Sequence, residues 1–360
     1  MFIMSNVDII KFIEGKKNFI ENTIEKYVPK EINKSNFRSK SNYKVDFEAI
    51  NYGISKPLWN FLGYGGKRWR PVLFLLISEA LGSNMEKVSD FLVIPEIAHN
   101  GTIVIDDIED NAELRRGKPA LHKVYGEDIA INCGNAMYFL PLQVVEDKKN
   151  DIPIDTLFRV YSIYLEEMRN LHYGQALDIT WHKGILKKEP TVEEYLQMTA
   201  FKTGTLARMA ARLAVALSGG SEIVESKFGN FAESIGIAFQ IQDDLLDIIT
   251  SEKEREAFGK SYGNDISEGK RSLAVIYSMM NLSKEKKDRL IKILNSHTTD
   301  KKSIEEAINL IKESGAIELS KGVANKLVIE SWNQIDSELK DSEAKLYLKA
   351  FSEFLVNRKI

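Results

Sequence analysis

Apolar residues recur at three- and four-residue spacing through most of this 360-residue chain, the period an α-helix needs to bury one face. Residues 5–28 show it first. Ile9, Ile10, Phe12, Ile13, Phe19, Ile20, Ile24 and Tyr27 stand among Lys and Glu until Pro29 stops the run. The same period predicts helices near 46–62, 86–111, 127–146, 153–181, 191–218, 222–250, 270–280, 284–296, 302–314 and 317–357, with polar 30–45 as a loop or linker. No stretch of useful length alternates as a half-buried strand would. Gly (22) and Pro (8) are sparse, which also favours long helices over a turn-rich β fold. The expectation is an all-α fold in a single domain spanning 1–360. It would comprise an N-terminal helix and linker (1–45), a motif-bearing core (63–272) and outer C-terminal helices (273–360).

Charge and cysteine content exclude several functions. A net charge of −3 argues against a nucleic-acid-binding face. The N-terminus lacks the basic, apolar and small-residue sequence of a signal peptide. Residues 72–81 and 91–105 are apolar but too short or too interrupted to cross a bilayer, so no transmembrane segment and a cytoplasmic location are expected. The single cysteine, Cys133, leaves no intramolecular disulfide and reads as a small buried apolar residue.

Against this ordinary background, acidic residues are placed unusually. Asp106, Asp107 and Asp110 follow the apolar run IVI, and Asp106 and Asp110 (i, i+4) share one helix face. Like charges so placed repel, and a hard cation such as Mg²⁺ relieves that by taking carboxylate oxygens and sharing its shell with phosphates. The pattern returns in FQIQDDLLDI as Asp243, Asp244 and Asp247, with Gln240 one turn earlier. Two such helices facing each other could clamp metal between them. Separate basic sets accompany them: Lys67, Arg68 and Arg70; Arg115 and Arg116; Lys202 beside Thr203; Lys260, Lys270 and Arg271. Arg takes phosphate oxygens through paired hydrogen bonds and Lys acts as a point charge, so the combination suits metal-bridged polyanions. The P-loop pattern is absent, which disfavours a nucleotide kinase or ATPase.

In order and rough spacing, GGKRWRP, Glu96-x-x-His99, DDIEDNAELRRGKP, FKTG, FQIQDDLLDI and GK…GND…EGKRS resemble the trans-isoprenyl diphosphate synthases over about residues 63–272. The first acidic motif lacks the two-residue insertion of farnesyl-type bacterial enzymes and looks most like geranylgeranyl diphosphate synthases. The resemblance implies the isoprenoid synthase type I fold, about a dozen helices around a deep apolar cavity, usually as a homodimer. It implies an allylic diphosphate held by about three Mg²⁺ ions and isopentenyl diphosphate held by bases. Carried over, Asp106, Asp110 and Asp243 would be direct ligands, supported by Asp107, Asp244 and Asp247. Arg115, Lys202 and Lys260 would grip the allylic diphosphate, with Thr203 and Gln240 nearby and Lys270 at the rim. Lys67, Arg70, His99 and Arg116 would bind isopentenyl diphosphate. Gln175 and Asp178 match a family segment near the site.

The small residues Thr102, Gly101 and Ala98, one and two turns before Asp106, would leave the cavity open to a product of at least about twenty carbons. Met137, Tyr138, Phe139 and Leu140 could supply a floor instead. His122 is expected to bond nearby backbone, and the tryptophans to pack. A terpene cyclase lacks GGKR and the second DDxxD. A longer-chain polyprenyl synthase, or a farnesyl diphosphate synthase, stays open as an alternative.

Overall fold

The protein, described by a computed structural model over residues 8–186, 188–250 and 263–357, is built almost wholly of helices packed side by side. The helix Glu222–Ile249 runs through the middle, against Thr205–Leu217 on one flank and Ala316–Ile335 on another. Ile154–His182 packs on Thr205–Leu217, and Val93–Glu109 packs on Glu127–Phe139. Two apolar clusters hold this arrangement. Phe228, Phe231 and Ile235 place the first half of Glu222–Ile249 in one, with Phe74, Phe91 and Phe351. Ile237, Ile241, Leu245 and Ile248 place its second half in the other, with Ile276, Leu294 and Ile308. The acidic residues of that half are therefore carried by an otherwise buried helix.

Several helices start where a side chain caps the first turn. Asp8 accepts from the Lys11 amide at 3.0 Å and starts Ile9–Tyr27. Thr191 and Glu194 cap each other's backbone and start Val192–Thr199. The first helix is a packing helix: Ile20, Ile24 and Tyr27 are buried, and the Tyr27 hydroxyl donates to Asp90 at 2.7 Å. The segment Met85–Glu109 is long and apolar enough by composition to cross a membrane, but most of it is buried inside the bundle.

The departures from periodicity have local causes. The stretch 191–218 is broken by a π-helical turn, Ala200–Gly204. The stretch 317–357 is two helices, Ala316–Ile335 and Glu343–Asn357, separated where the backbone turns extended at Leu339 within a polar run. A two-residue ladder pairs Leu114 with Pro119 and Arg115 with Lys118, too short to show as alternation. His122 is buried, and among the described residues neither ring nitrogen finds the backbone partner expected of it.

Candidate active site

The helix Val93–Glu109 delivers Asp106 on its last turn and is capped by Asp110. Asp106 Oδ1 accepts from the Gln175 amide at 2.8 Å and from Lys202 Nζ at 3.1 Å. Gln175 also donates to Glu109 at 2.6 Å, and Lys202 also pairs with Asp178. Lys202 and Thr203 lie in the π turn, a departure from α geometry of the kind found at functional sites. Gly174 allows that turn to approach: a Cβ there would sit 2.3 Å from the Lys202 amide nitrogen. Asp107 points the other way, fully buried, accepting from Arg115 Nε at 2.7 Å.

The second motif joins the first through the same turn. Thr203 Oγ1 donates to Gln240 Oε1 at 3.0 Å, and Gln240 Nε2 donates to Asp244 Oδ1 at 2.7 Å. The buried Tyr195 hydroxyl donates to the other Asp244 oxygen at 2.9 Å. Both Asp244 oxygens thus have protein partners, which fits a supporting role. Asp243 is half-buried on the same helix, and Asp247 accepts from the Asp265 amide at 3.2 Å. Lys270 pairs with Asp265 and Glu268, and its charge is felt at Asp110. Lys260 lies outside the described residues.

The electrostatics are those of crowded carboxylates only partly neutralised. Burial works against its ionisation, yet Lys202, Lys270 and Arg115 hold the Asp106 carboxyl well below the usual range. Burial and the neighbouring Asp106 charge push Asp110 up to about 7. Among the described residues no three His, Cys, Asp or Glu side chains converge on one point. The arrangement nevertheless fits a hard divalent cation. Oxygen donors on both motifs carry more negative charge than the lysines offset, and such ions complete their shell with phosphate oxygens.

A second, basic group stands beside this one. His99 is held neutral, its pKa driven well down by burial and by Arg70, Arg116, Arg68 and Arg115. Arg70 is buried over the Trp69 ring at 4.3 Å, and its Nε has no hydrogen-bond partner. Burial brings the Arg70 guanidinium down to about 10. Arg116 donates to the Gly65 carbonyl and lies flat against Gly66, where a Cβ would come within 3.0 Å of the guanidinium. Arg68 is spent on structure. It pairs with buried Glu96 at 2.7 Å and donates to the Leu62 carbonyl at 3.0 Å. Arg68 and Arg116 both take left-handed backbone (φ 49° and 53°), strain that surrounding contacts must hold in place. Lys67 is exposed at the rim.

The small residues before Asp106 divide. Ala98 is fully buried. Thr102 is half-buried and donates to the His99 carbonyl at 2.8 Å. Gly101 faces neighbouring protein: a Cβ there would lie 2.8 Å from the Gly134 carbonyl and 2.9 Å from Met137 Cβ. Its smallness is set by a helix crossing, so the expectation that it simply leaves space for product is corrected. Tyr138, half-buried beside that crossing, meets His172 edge-on at 6.1 Å.

Sequence reasoning missed Tyr195 and Glu167. Tyr195 lies seven residues before Lys202 in an ordinary amphipathic helix, and no spacing marks it. Glu167, fully buried among arginines, carries a weak signal as a carboxylate on the inner face of a long helix.

A family model described as polyprenyl synthetase matches residues 52–311. A geranylgeranyl diphosphate synthase of Saccharolobus solfataricus is 30% identical over 331 residues, covering 91% of this chain and 96% of the relative. A short chain isoprenyl diphosphate synthase of Methanocaldococcus jannaschii is 35% identical, covering 75% and 79%. The crystal structure of geranylgeranyl pyrophosphate synthetase from Pyrococcus horikoshii Ot3 matches with a TM-score of 0.83 at 28% identity, over 98% of this chain and 99% of that one.

Proposed function

The chain belongs to the polyprenyl synthetase family and is a prenyl-transferring enzyme, and from that premise we propose that it condenses isopentenyl diphosphate head-to-tail with an allylic diphosphate. The product is an all-trans polyprenyl diphosphate of at least about twenty carbons, geranylgeranyl diphosphate first. The observation that carries this reading is the linkage of the two acidic motifs through adjacent residues, Asp106 to Lys202 and Thr203 through Gln240 to Asp244.

Asp106, Asp110 and Asp243 would hold Mg²⁺, with Asp107, Asp244 and Asp247 fixing their surroundings. A Mg²⁺ ion held by these carboxylates would supply Lewis-acid stabilisation of the charge on the leaving diphosphate. Lys202, Lys270 and Arg115 add positive charge where that negative charge grows. Arg70, His99, Arg116 and Lys67 hold isopentenyl diphosphate with its double bond at close range. The Thr203 and Gln240 oxygens face the cation, and the apolar bundle keeps water away. The proton lost at the end goes to the released diphosphate. Turnover is expected to vanish in excess EDTA and return on adding Mg²⁺; undiminished turnover in EDTA would contradict the metal reading.

Product length is read at Thr102. Thr102→Phe should shorten the product by at least one five-carbon step, detected by chromatography, whereas Gly101→Phe should mainly lower the melting temperature. Unchanged product length in Thr102→Phe would place the floor elsewhere, Tyr138 first.

A homodimer is also proposed. Ile154, Phe158 and Leu165 form one apolar stripe on the helix Ile154–His182 and are 74%, 72% and 60% exposed, a patch that suits a self-complementary interface. Light scattering should give a dimer for the wild type and a monomer for Phe158→Glu with Leu165→Glu. A wild-type monomer would contradict this.

A further inference from the structure

Tyr195 is absent from every role assigned above, yet it is 1% exposed and its hydroxyl donates to Asp244. We infer that Tyr195 is a positioning residue: through Asp244 and Gln240 it fixes the direction of the Thr203 hydroxyl, so that lone pairs rather than a proton face the reacting carbon. The inference rests on the condensation proposed above.

Hydrogen-bond polarity is passed from residue to residue along this chain. A phenol that donates to a carboxylate oxygen orients the carboxylate plane. Both Asp244 oxygens act as acceptors, one of the Tyr195 hydroxyl at 2.9 Å and the other of the Gln240 amino group at 2.7 Å. That leaves the Gln240 carbonyl oxygen facing Thr203. A carbonyl can only accept, so the Thr203 proton is committed to it at 3.0 Å. What remains open on Thr203 is lone-pair density, the end of the dipole that stabilises a neighbouring cation. Every bond in the chain runs one way. Remove the Tyr195 donor and Asp244 can rotate, the Gln240 amide can flip, and the Thr203 proton can turn outward to the cation.

A structural role would leave different kinetic traces from a polarising one. Tyr195→Phe keeps the ring and removes only the donor. Leaving a buried acceptor without its donor costs roughly ten- to hundredfold, and that loss is expected in kcat. The KM for isopentenyl diphosphate and the Mg²⁺ concentration for half-maximal rate should not move. The test is a cycle of Tyr195→Phe, Thr203→Val and the double variant, with melting temperatures measured in parallel. If Tyr195 acts through Thr203, the double variant is no slower than Thr203→Val alone. Multiplying effects, wild-type kcat in Tyr195→Phe, or a raised Mg²⁺ requirement would each overturn the inference. Should Tyr195→Phe fail to fold, the cycle of Gln240→Leu with Thr203→Val reads the same chain one link later, and independent effects there overturn it equally. Absence of condensation by the wild type would sink the assigned reaction first, and the inference with it.

Discussion

Asp106→Asn is expected to lower kcat by roughly a hundred- to a thousandfold while the protein stays folded. Asn matches Asp in shape but carries no charge, so the site would lose a proposed metal ligand and one of the two carboxylates paired with the Lys202 ammonium. Against the effect of burial, Asp106 and Asp178 together hold that ammonium above its ordinary range. In the variant Asp178 remains, which keeps Lys202 charged and in place. The Asp106 side chain is a quarter exposed, so the substitution strands no deeply buried partner. Steady-state kinetics with a parallel melting curve check this; a rate within about tenfold of wild type would remove Asp106 from the site's centre.

The largest expected effect on stability is at Glu167. Its carboxylate is fully buried and accepts from Arg208 Nε at 2.9 Å, from Arg212 at 2.6 Å and from the Thr205 hydroxyl. Arg208 and Arg212 lean further on Glu233, Glu225 and Glu166. Removing the Glu167 charge leaves Arg208 and Arg212 only those outer carboxylates, at a cost of about 3 kcal/mol, the low end for a broken buried ion pair. Glu167→Gln should show that loss in urea unfolding, and a change under about 1 kcal/mol would contradict it. The network also has a pH signature. Burial alone would raise the Glu167 pKa, but Arg208, Thr205 and Arg212 hold it below the ordinary value. A depressed folded pKa gives stability that is complete above the unfolded value, about 4.3, and is lost as pH falls towards the folded one. Wild type should therefore lose stability below about pH 4.3 more steeply than Glu167→Gln.

Much of this was legible because helices advertise themselves locally. The three- and four-residue period located the main helices, and the same geometry made Asp106 with Asp110, and Asp243 with Asp247, recognisable as pairs on one face. What stayed hidden joins distant residues or breaks the period. The π turn at Ala200–Gly204 rotates Lys202 and Thr203 out of the register that an uninterrupted helix over 191–218 would give them. Arg68 looked like one more phosphate-binding base until its buried partner Glu96 was seen 28 positions away. Gly101 read as open space, and only the crossing with Gly134 shows why it must be small. Tyr195 and Asp244 are 49 positions apart, and nothing local to either marks the contact.

The central claim, that this site extends an allylic diphosphate by five-carbon units past fifteen carbons, is tested most directly by sizing the product formed from labelled isopentenyl diphosphate. The assay contains Mg²⁺ and farnesyl diphosphate as starter, with shorter allylic starters run alongside. Label in an all-trans product of at least about twenty carbons is the expected result. No incorporation with any starter would contradict the account.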